Sequence, residues 1–535
     1  RLLKGMNIMK KRLFCALLAG MTVLSLASCN NSGDSNSTPD SSDNGGSGSS
    51  ETAESADTSI DFDSDPYEVH FMYLVAKEGS NQATIQEQVN ALTLENLNMT
   101  VDLIPMTMGA YNSTISTSLA SNEPLDMMPV FSSSFDTYIE SGYLVNLYDY
   151  EEYLTGVKEQ MGDVFYAGDI GGFLTGFTEM KEWGFPCGLI VRKDIFDELG
   201  YSVDDFSITA EDMSTYQQMD DLFAAVKEAY PNMVALGGTA NMTTQGYSWF
   251  DGLGNSFGVL ANFAKDTTVT NWYESQQYSD FCTTFGRWFD AGYTSADVAT
   301  NQDSGETLMR AGNLFSFITY YKPNTAVEKL AQTGYEVEVI PMSEYGIKSN
   351  ASISSLVYSL ANASEDKTKA AQFMNFAYTS GELNDLLNWG VEGEDWIEDE
   401  NGQAAYPEGI DANNAATHND FGWGLPNQFV GHAWAGNPVD IWDQYREYND
   451  SMVKSVAYGF GFSGAEVTDQ ITQCTSVQSE YASQLGFGVA EDLDAAIAEF
   501  NEKLYNAGLQ DIMDAKQEQL DAWFAENGTE SSDAE

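Results

Sequence analysis

Apolar positions between residues 67 and 144 alternate between two periods. The run 67–75 (YEVHFMYLV) is dense in aromatic and β-branched residues and reads as a strand, and 81–97 repeats apolar residues at helical spacing through Ile85, Val89, Leu92 and Leu97. The same pattern predicts a strand over 99–105, a short helix over 111–120, a third strand over 125–131 (LDMMPVF) and a helix over 135–144. Strands alternating with helices at this separation predict a parallel sheet with helices on both faces. Farther along, 216–230 is expected to be helical, with Leu222, Val226 and Ala229 on one face. The segments 465–485 and 491–523 also have helical periodicity, and Leu493, Ile497, Phe500 and Leu504 form one apolar stripe. Ahead of these two, 394–410 predicts a hairpin turning at Asn401-Gly402, the dipeptide of a type I′ turn.

Two stretches lack the apolar surface for a core. Residues 30–65 are nearly all Ser, Asn, Gly, Asp, Thr and Glu, which predicts a disordered tether, and 528–535 predicts a disordered acidic tail. Ahead of the tether, Lys10, Lys11 and Arg12 precede an uncharged, mostly apolar run over 13–26. That order is a secretory signal, and its apolar run is too short for a permanent span of ~20 residues. Leu26-Ala27-Ser28-Cys29 resembles a lipobox, so 1–29 is assigned as a lipoprotein signal peptide with lipidation at Cys29. Translation is expected to start at Met9, with 1–8 upstream of it.

The chain has 535 residues, enough for two or three domains, and its net charge of −58 comes from 81 acids against 23 bases. A field of that sign repels phosphate backbones, so nucleic acid is excluded as a partner, and strongly anionic ligands are disfavoured. Beyond Cys15 and Cys29 the cysteines are Cys187, Cys282 and Cys474, far apart and without a CxxC, so they are expected to be buried and unpaired. The three histidines (His70, His418, His432) form no HExxH motif, and no metal or cofactor is expected. The acids Glu398, Asp399 and Glu400 lack EF-hand spacing.

One series of segments resembles a known family. FDTYIESGYLVNL (135–147) is followed by Trp183-Gly184-Phe185-Pro186, then by Arg192-Lys193-Asp194-Ile195-Phe196 with Gly200, where Asp194 stands at an expected helix N-cap. SGETLMRAGNLFSFITYY (304–321), the strands over 335–341 and 352–360 and the helix over 365–379 follow in order, and LNDLLNWGVEG (383–393), GWGLPNQFVGHAWAG (422–436) and GLQDIMDAKQEQLDAW (508–523) close the series. This order is similar to the family 1 extracellular solute-binding proteins of ABC importers, in a carbohydrate-type lipoprotein branch with its own C-terminal domain, and the resemblance runs over 67–523. It implies an α/β, two-lobed periplasmic-binding-protein fold of type II with a C-terminal helical extension. The first lobe would comprise 66–189 and 346–450, and the second 190–345. A helical region, 451–527, would pack on the lobes.

Sugars present apolar C–H faces and hydroxyl edges, so their sites stack aromatic rings and aim polar side chains. Aromatics beside glycine make Trp183, Trp389, Trp423 and Trp434 candidates, and the resemblance places Tyr320 and Tyr321 where the family stacks its ligand. Phe131, Ser132 and Ser133 follow the third strand, at the carboxyl edge where α/β sheets bind ligands. Trp272, Trp288 and Trp442 lie in helical patterns and are assigned to the core, and Trp249 stays open. The P-loop pattern is absent, and GLGNSFG (252–258) has the wrong glycine spacing for a dinucleotide loop. The expectation is a monomeric, lipid-anchored protein on the outer face of the cytoplasmic membrane. It would bind a carbohydrate, an oligosaccharide, between its lobes and deliver it to ABC permease subunits without catalysis. A peptide-binding protein and a secreted carbohydrate-active enzyme remain the alternatives.

Overall fold

The structure is a computed structural model, and it describes residues 58–343, 345–411 and 414–528. The signal peptide, Cys29, most of the tether and nearly all of the acidic tail lie outside the described residues.

In the first lobe five strands line up in the order Met99–Met106, Tyr67–Leu74, Met127–Phe131, Leu356–Leu360, Phe177–Thr178. The first three are parallel, as the alternating pattern requires, and the returning strand Leu356–Leu360 runs antiparallel to both neighbours. Val69, Phe71, Tyr358 and Phe373 are fully buried in its core. In the second lobe the order is Val337–Pro341, Cys187–Arg192, Leu314–Tyr320, Val234–Leu236. Only Leu314–Tyr320 and Val234–Leu236 pair in parallel there.

The chain passes between the lobes near residues 179–187, again near 342–350, and a third time where Val453–Lys454 pairs in parallel with Ile347–Lys348. The first two passages touch closely: a Cβ on Gly346 would lie 2.9 Å from the Gly184 Cα, so a side chain there would push them apart. After the third passage come helices Thr468–Gly486, Leu493–Asn506 and Leu509–Asn527. Their Cys474, Leu485, Phe500, Leu504, Leu509, Ile512 and Leu520 share one core with Trp249, Phe281 and Trp288 of the second lobe. Each side chain so buried contributes about 1.5–3 kcal/mol relative to exposure, so the C-terminal helices are part of that lobe's core.

Three local expectations change. Asp194 is inside the first turn of helix Lys193–Glu198, with Arg192 at the N-cap position, and its carboxylate accepts from the Arg192 guanidinium at 3.0 Å. The expected helix over 491–523 breaks at Gly508, whose φ of 100° favours glycine and whose added Cβ would meet Gln470 at 2.4 Å. In the hairpin Ile397–Glu398/Ala404–Ala405 only Gly402 has positive φ, so the turn is not type I′. Asp399 organises it instead, accepting from the Asn401 and Gln403 amides. Cys187, Cys282 and Cys474 are buried and free.

Candidate ligand site

Loops after the strand Val234–Leu236 and the carboxyl end of Leu314–Tyr320 enclose a cavity of about 400 Å³. Its apolar lining is aromatic: Tyr247, Phe250, Trp272, Tyr273, Tyr278 and Tyr320, with Phe500 from a C-terminal helix. These rings brace one another at 4.9 Å (Phe250–Trp272) and 5.0 Å (Trp272–Tyr278 and Tyr273–Phe500). Phe185, on the first passage between the lobes, bridges Tyr247 and Tyr320 at 5.3 and 5.1 Å.

The polar lining carries no ionisable acid or base. It consists of Thr243, Thr244, Asn255, Ser256, Gln478 and Ser479 besides the tyrosine hydroxyls. The Tyr273 hydroxyl donates to Ser256 Oγ at 2.8 Å, and Gln478 Nε2 donates to both oxygens at 2.6 and 3.1 Å. Burial pushes the Tyr273 phenol up to about 12 and raises those of Tyr278 and Tyr320 as well, so all three are neutral hydrogen-bonding groups at physiological pH.

The cavity adjoins the gap between the lobes. Gly254, Asn255 and Ala351 line both it and a smaller space of about 60 Å³. There Ser132, Phe135, Asp136 and Ile170 of the first lobe face Asp251 and Leu253 of the second. Burial raises the pKa of both Asp136 and Asp251. Asp136 accepts from the Gly464 amide (3.1 Å) and Ser463 Oγ (3.2 Å), and Asp251 from the Leu253 amide (2.9 Å) and Ser455 Oγ (2.7 Å). A separate space of about 70 Å³ is lined by Trp389, Trp423, Trp434 and Trp442, with Lys322 and Asp420. Lys322 is held there by Glu182 and Glu328, both at 2.8 Å.

The structure therefore divides the candidate residues. Tyr320 lines the main cavity and Ser132 the interlobe space, while Ser133 is exposed in the short turn Ser132–Ser134. Phe131 packs edge-on against Tyr111 at 5.4 Å. Tyr321 lies between the passages, its hydroxyl donating to Ser343 O (3.1 Å) and its carbonyl accepting from Tyr448 (3.1 Å). Trp183 is 5% exposed, lines none of these spaces, and donates Nε1–H to Glu179 O at 2.9 Å. Trp389 donates to His432 O and, with Trp423, lines the smaller tryptophan-rich space instead.

Trp272 belongs to the second lobe's core, as its helical pattern predicts, and it also lines the main cavity while only 3% exposed. Trp442 lines the tryptophan-rich space, whereas Trp288 and Trp249 are core. Tyr247, Phe250, Tyr273, Tyr278, Gln478 and Phe500 escape the sequence reading, although the aromatic density of 247–278 was a visible signal.

Gly-x-Ser-x-Gly occurs once and Ser-x-x-Lys twice, and none is arranged for catalysis; in Ser-x-x-Lys at 364–367, Ser364 donates to Asp126 and Lys367 to Ser364 O. Gly-x-Ser-x-Gly at 254–258 lies in a loop with Ser256 Oγ tied to Tyr273 and Gln478. Ser-x-x-Lys at 451–454 separates its two ends: Ser451 donates to Tyr448 O and Lys454 pairs with Asp163 at 3.2 Å. Among the described residues, no group of three or more His, Cys, Asp or Glu side chains could hold a metal ion.

Two lobes linked by three passages, with an uncharged aromatic cavity beside the gap, define a protein built to enclose a small solute. The bacterial extracellular solute-binding protein family matches residues 87–390, and the chain belongs to that family. A domain of unknown function, DUF3502, matches 456–525. The chain is similar to a carbohydrate ABC transporter substrate-binding protein of Streptococcus pneumoniae, with 22% identity over 86% of this chain and 92% of that protein. Its fold is similar to the N-glycan transport solute binding protein NgtS of S. pneumoniae (TM-score 0.72, 18% identity, 86% of this chain and 99% of that one). The same protein in complex with Man5GlcNAc gives a TM-score of 0.66 at the same identity and coverage.

Proposed function

We propose that this chain is a lipid-anchored, monomeric extracellular binding protein that captures a neutral oligosaccharide between its lobes and delivers it to the permease of an ABC importer. The observation that carries this reading is the main cavity, with seven aromatic side chains and a polar lining free of ionisable acids and bases. Aromatic faces suit the C–H surfaces of sugar rings, and hydroxyl and amide groups suit their edges. An anionic sugar would enter the main cavity without a countercharge, which costs desolvation. The carbohydrate named for the Streptococcus relatives supports the same class. In this reading the first lobe is 66–189 with 346–450, the second 190–345, and 451–527 is built onto the second.

Calorimetry against a panel of neutral and acidic oligosaccharides tests the ligand class. Binding of neutral members with a negative heat-capacity change is expected. Binding confined to sialylated or uronate-containing members, or to peptides, contradicts it. The anchor is tested separately: Cys29→Ala should move the protein from the membrane fraction to the medium, and retention in the membrane would remove the tether. Among the described residues, no helix is long and apolar enough to cross a membrane.

A further inference from the structure

Lys516 lies in the region that matches a domain of unknown function and is fully buried in helix Leu509–Asn527. Its Nζ donates to Gly252 O and Gly258 O at 2.8 Å and to Asn255 O at 2.9 Å, with Asn255 Oδ1 at 3.0 Å. An ammonium has three protons and no acceptor, so a ring of four oxygens matches its charge and its donors. All four oxygens belong to the glycine-rich segment 252–258, the one whose spacing excludes a dinucleotide loop. Gly252, Gly254, Asn255 and Ser256 of this segment line the main cavity.

The segment is a loop closed by the Asp251–Leu260 bridge, with Leu253 and Phe257 in the core, and its backbone carbonyls at 252, 255 and 258 converge on Lys516. Leu253, Gly254 and Gly258 take left-handed φ values of 48°, 97° and 86°, and no helix or strand covers 252–258. Within it the Asn255 amide donates to Gly252 O at 3.1 Å, and the Phe257 amide to Asn255 Oδ1 at 3.0 Å. Asp251, next to the segment and buried, supplies the opposing charge, and the Phe462 ring lies 5.5 Å from Nζ. Burial lowers the Lys516 pKa well below the ordinary lysine range, and Asp251 opposes that shift.

We infer that the C-terminal domain exists to finish the ligand cavity: Lys516 is a positioning residue, a buried amino group whose hydrogen bonds gather 252–258 into one wall, while Gln478, Ser479, Ala482 and Phe500 supply another. The inference rests on the reading of this cavity as the ligand site. It makes the shape of the second lobe's pocket depend on a side chain more than 250 positions downstream.

The test is Lys516→Ala in the full chain. It leaves the oxygen ring in place and removes the three methylenes and the amino group that n-propylammonium reproduces. Hydrogen exchange of peptides covering 252–258 should accelerate about tenfold or more, with the rest of the second lobe much less affected. Added n-propylammonium should restore protection, and tetramethylammonium, which has no proton to donate, should not. If the variant does not fold, refolding driven by n-propylammonium but not by tetramethylammonium supports the inference, and no such selectivity contradicts it. Unchanged exchange, or a uniform loss of protection that neither amine corrects, overturns it. Calorimetry on the same samples separates the two claims. Lost loop protection with full sugar affinity would leave Lys516 in its role and move the ligand site elsewhere.

Discussion

The two lobes face the gap with different chemistry. The second lobe, completed by the C-terminal helices, offers braced aromatic rings and neutral hydrogen-bonding groups around about 400 Å³. The first lobe offers the Ser132 turn, Phe135, Ile170 and one carboxylate, Asp136, already engaged by Ser463 and Gly464. Affinity on this view is concentrated in the second lobe, and the first contributes mainly by covering the ligand. The two also differ in how they treat a buried charge. Lys516 of the second lobe has four oxygens around it, while Glu179, where the chain leaves the first, has two carboxylate oxygens without a hydrogen bond and Lys181 4.0 Å away.

The largest effect that would break this contrast is on stability. Trp183→Ala, in the packed passage between the lobes, should cost about 3–5 kcal/mol of folding free energy and leave the sugar affinity of the folded protein unchanged. Thermal melts and calorimetry on one preparation decide it, since loss of affinity at unchanged melting temperature would return Trp183 to the site.

Tyr320→Ala should do the reverse, weakening a neutral oligosaccharide by about 2–3 kcal/mol, or some thirty- to more than a hundredfold. An equal loss from Trp423→Ala, with Tyr320→Ala silent, would shift the site to the tryptophan-rich space shared with Lys322.

Charge sharpens the comparison further. Burial raises the Glu179 carboxyl to about 8, with Lys181 opposing that shift, so the folded state holds this proton after the unfolded chain has lost it. Folding stability should therefore fall as pH rises from the ordinary carboxyl range to about 8 and then level off. Glu179→Gln should remove that slope, stabilising the protein by up to about 4 kcal/mol at pH 8 and hardly at pH 4. A variant with the same pH slope as the wild type would assign the proton elsewhere. The smallest effect should come from the first lobe's wall, where Ser132→Ala is expected to cost under about 1 kcal/mol of binding.

Much of the frame was legible in the sequence because it depends on periodicity. Alternating strands and helices predicted the first sheet, whereas the passage at Trp183-Gly184-Phe185-Pro186 came from the resemblance to the family and not from periodicity. The cavity was less legible, because a cavity wall and a core are built from the same residue types. Trp272 and Trp183 are 3% and 5% exposed, yet one borders open space and the other does not. Helical spacing assigned Trp272 to the core correctly but could not show that one side of it borders a cavity. Gln478 and Phe500 lie more than 200 positions from Trp272 and Tyr273, and no local pattern tells that their helices fold back onto these residues.

The most direct measurement is a crystal structure with a neutral oligosaccharide bound. The account predicts sugar rings against Trp272, Tyr247 and Tyr320, polar contacts to Asn255 and Gln478, and the Ser132 turn drawn over the ligand. A sugar seated on Trp389, Trp423 and Trp434 with the main cavity empty would contradict it.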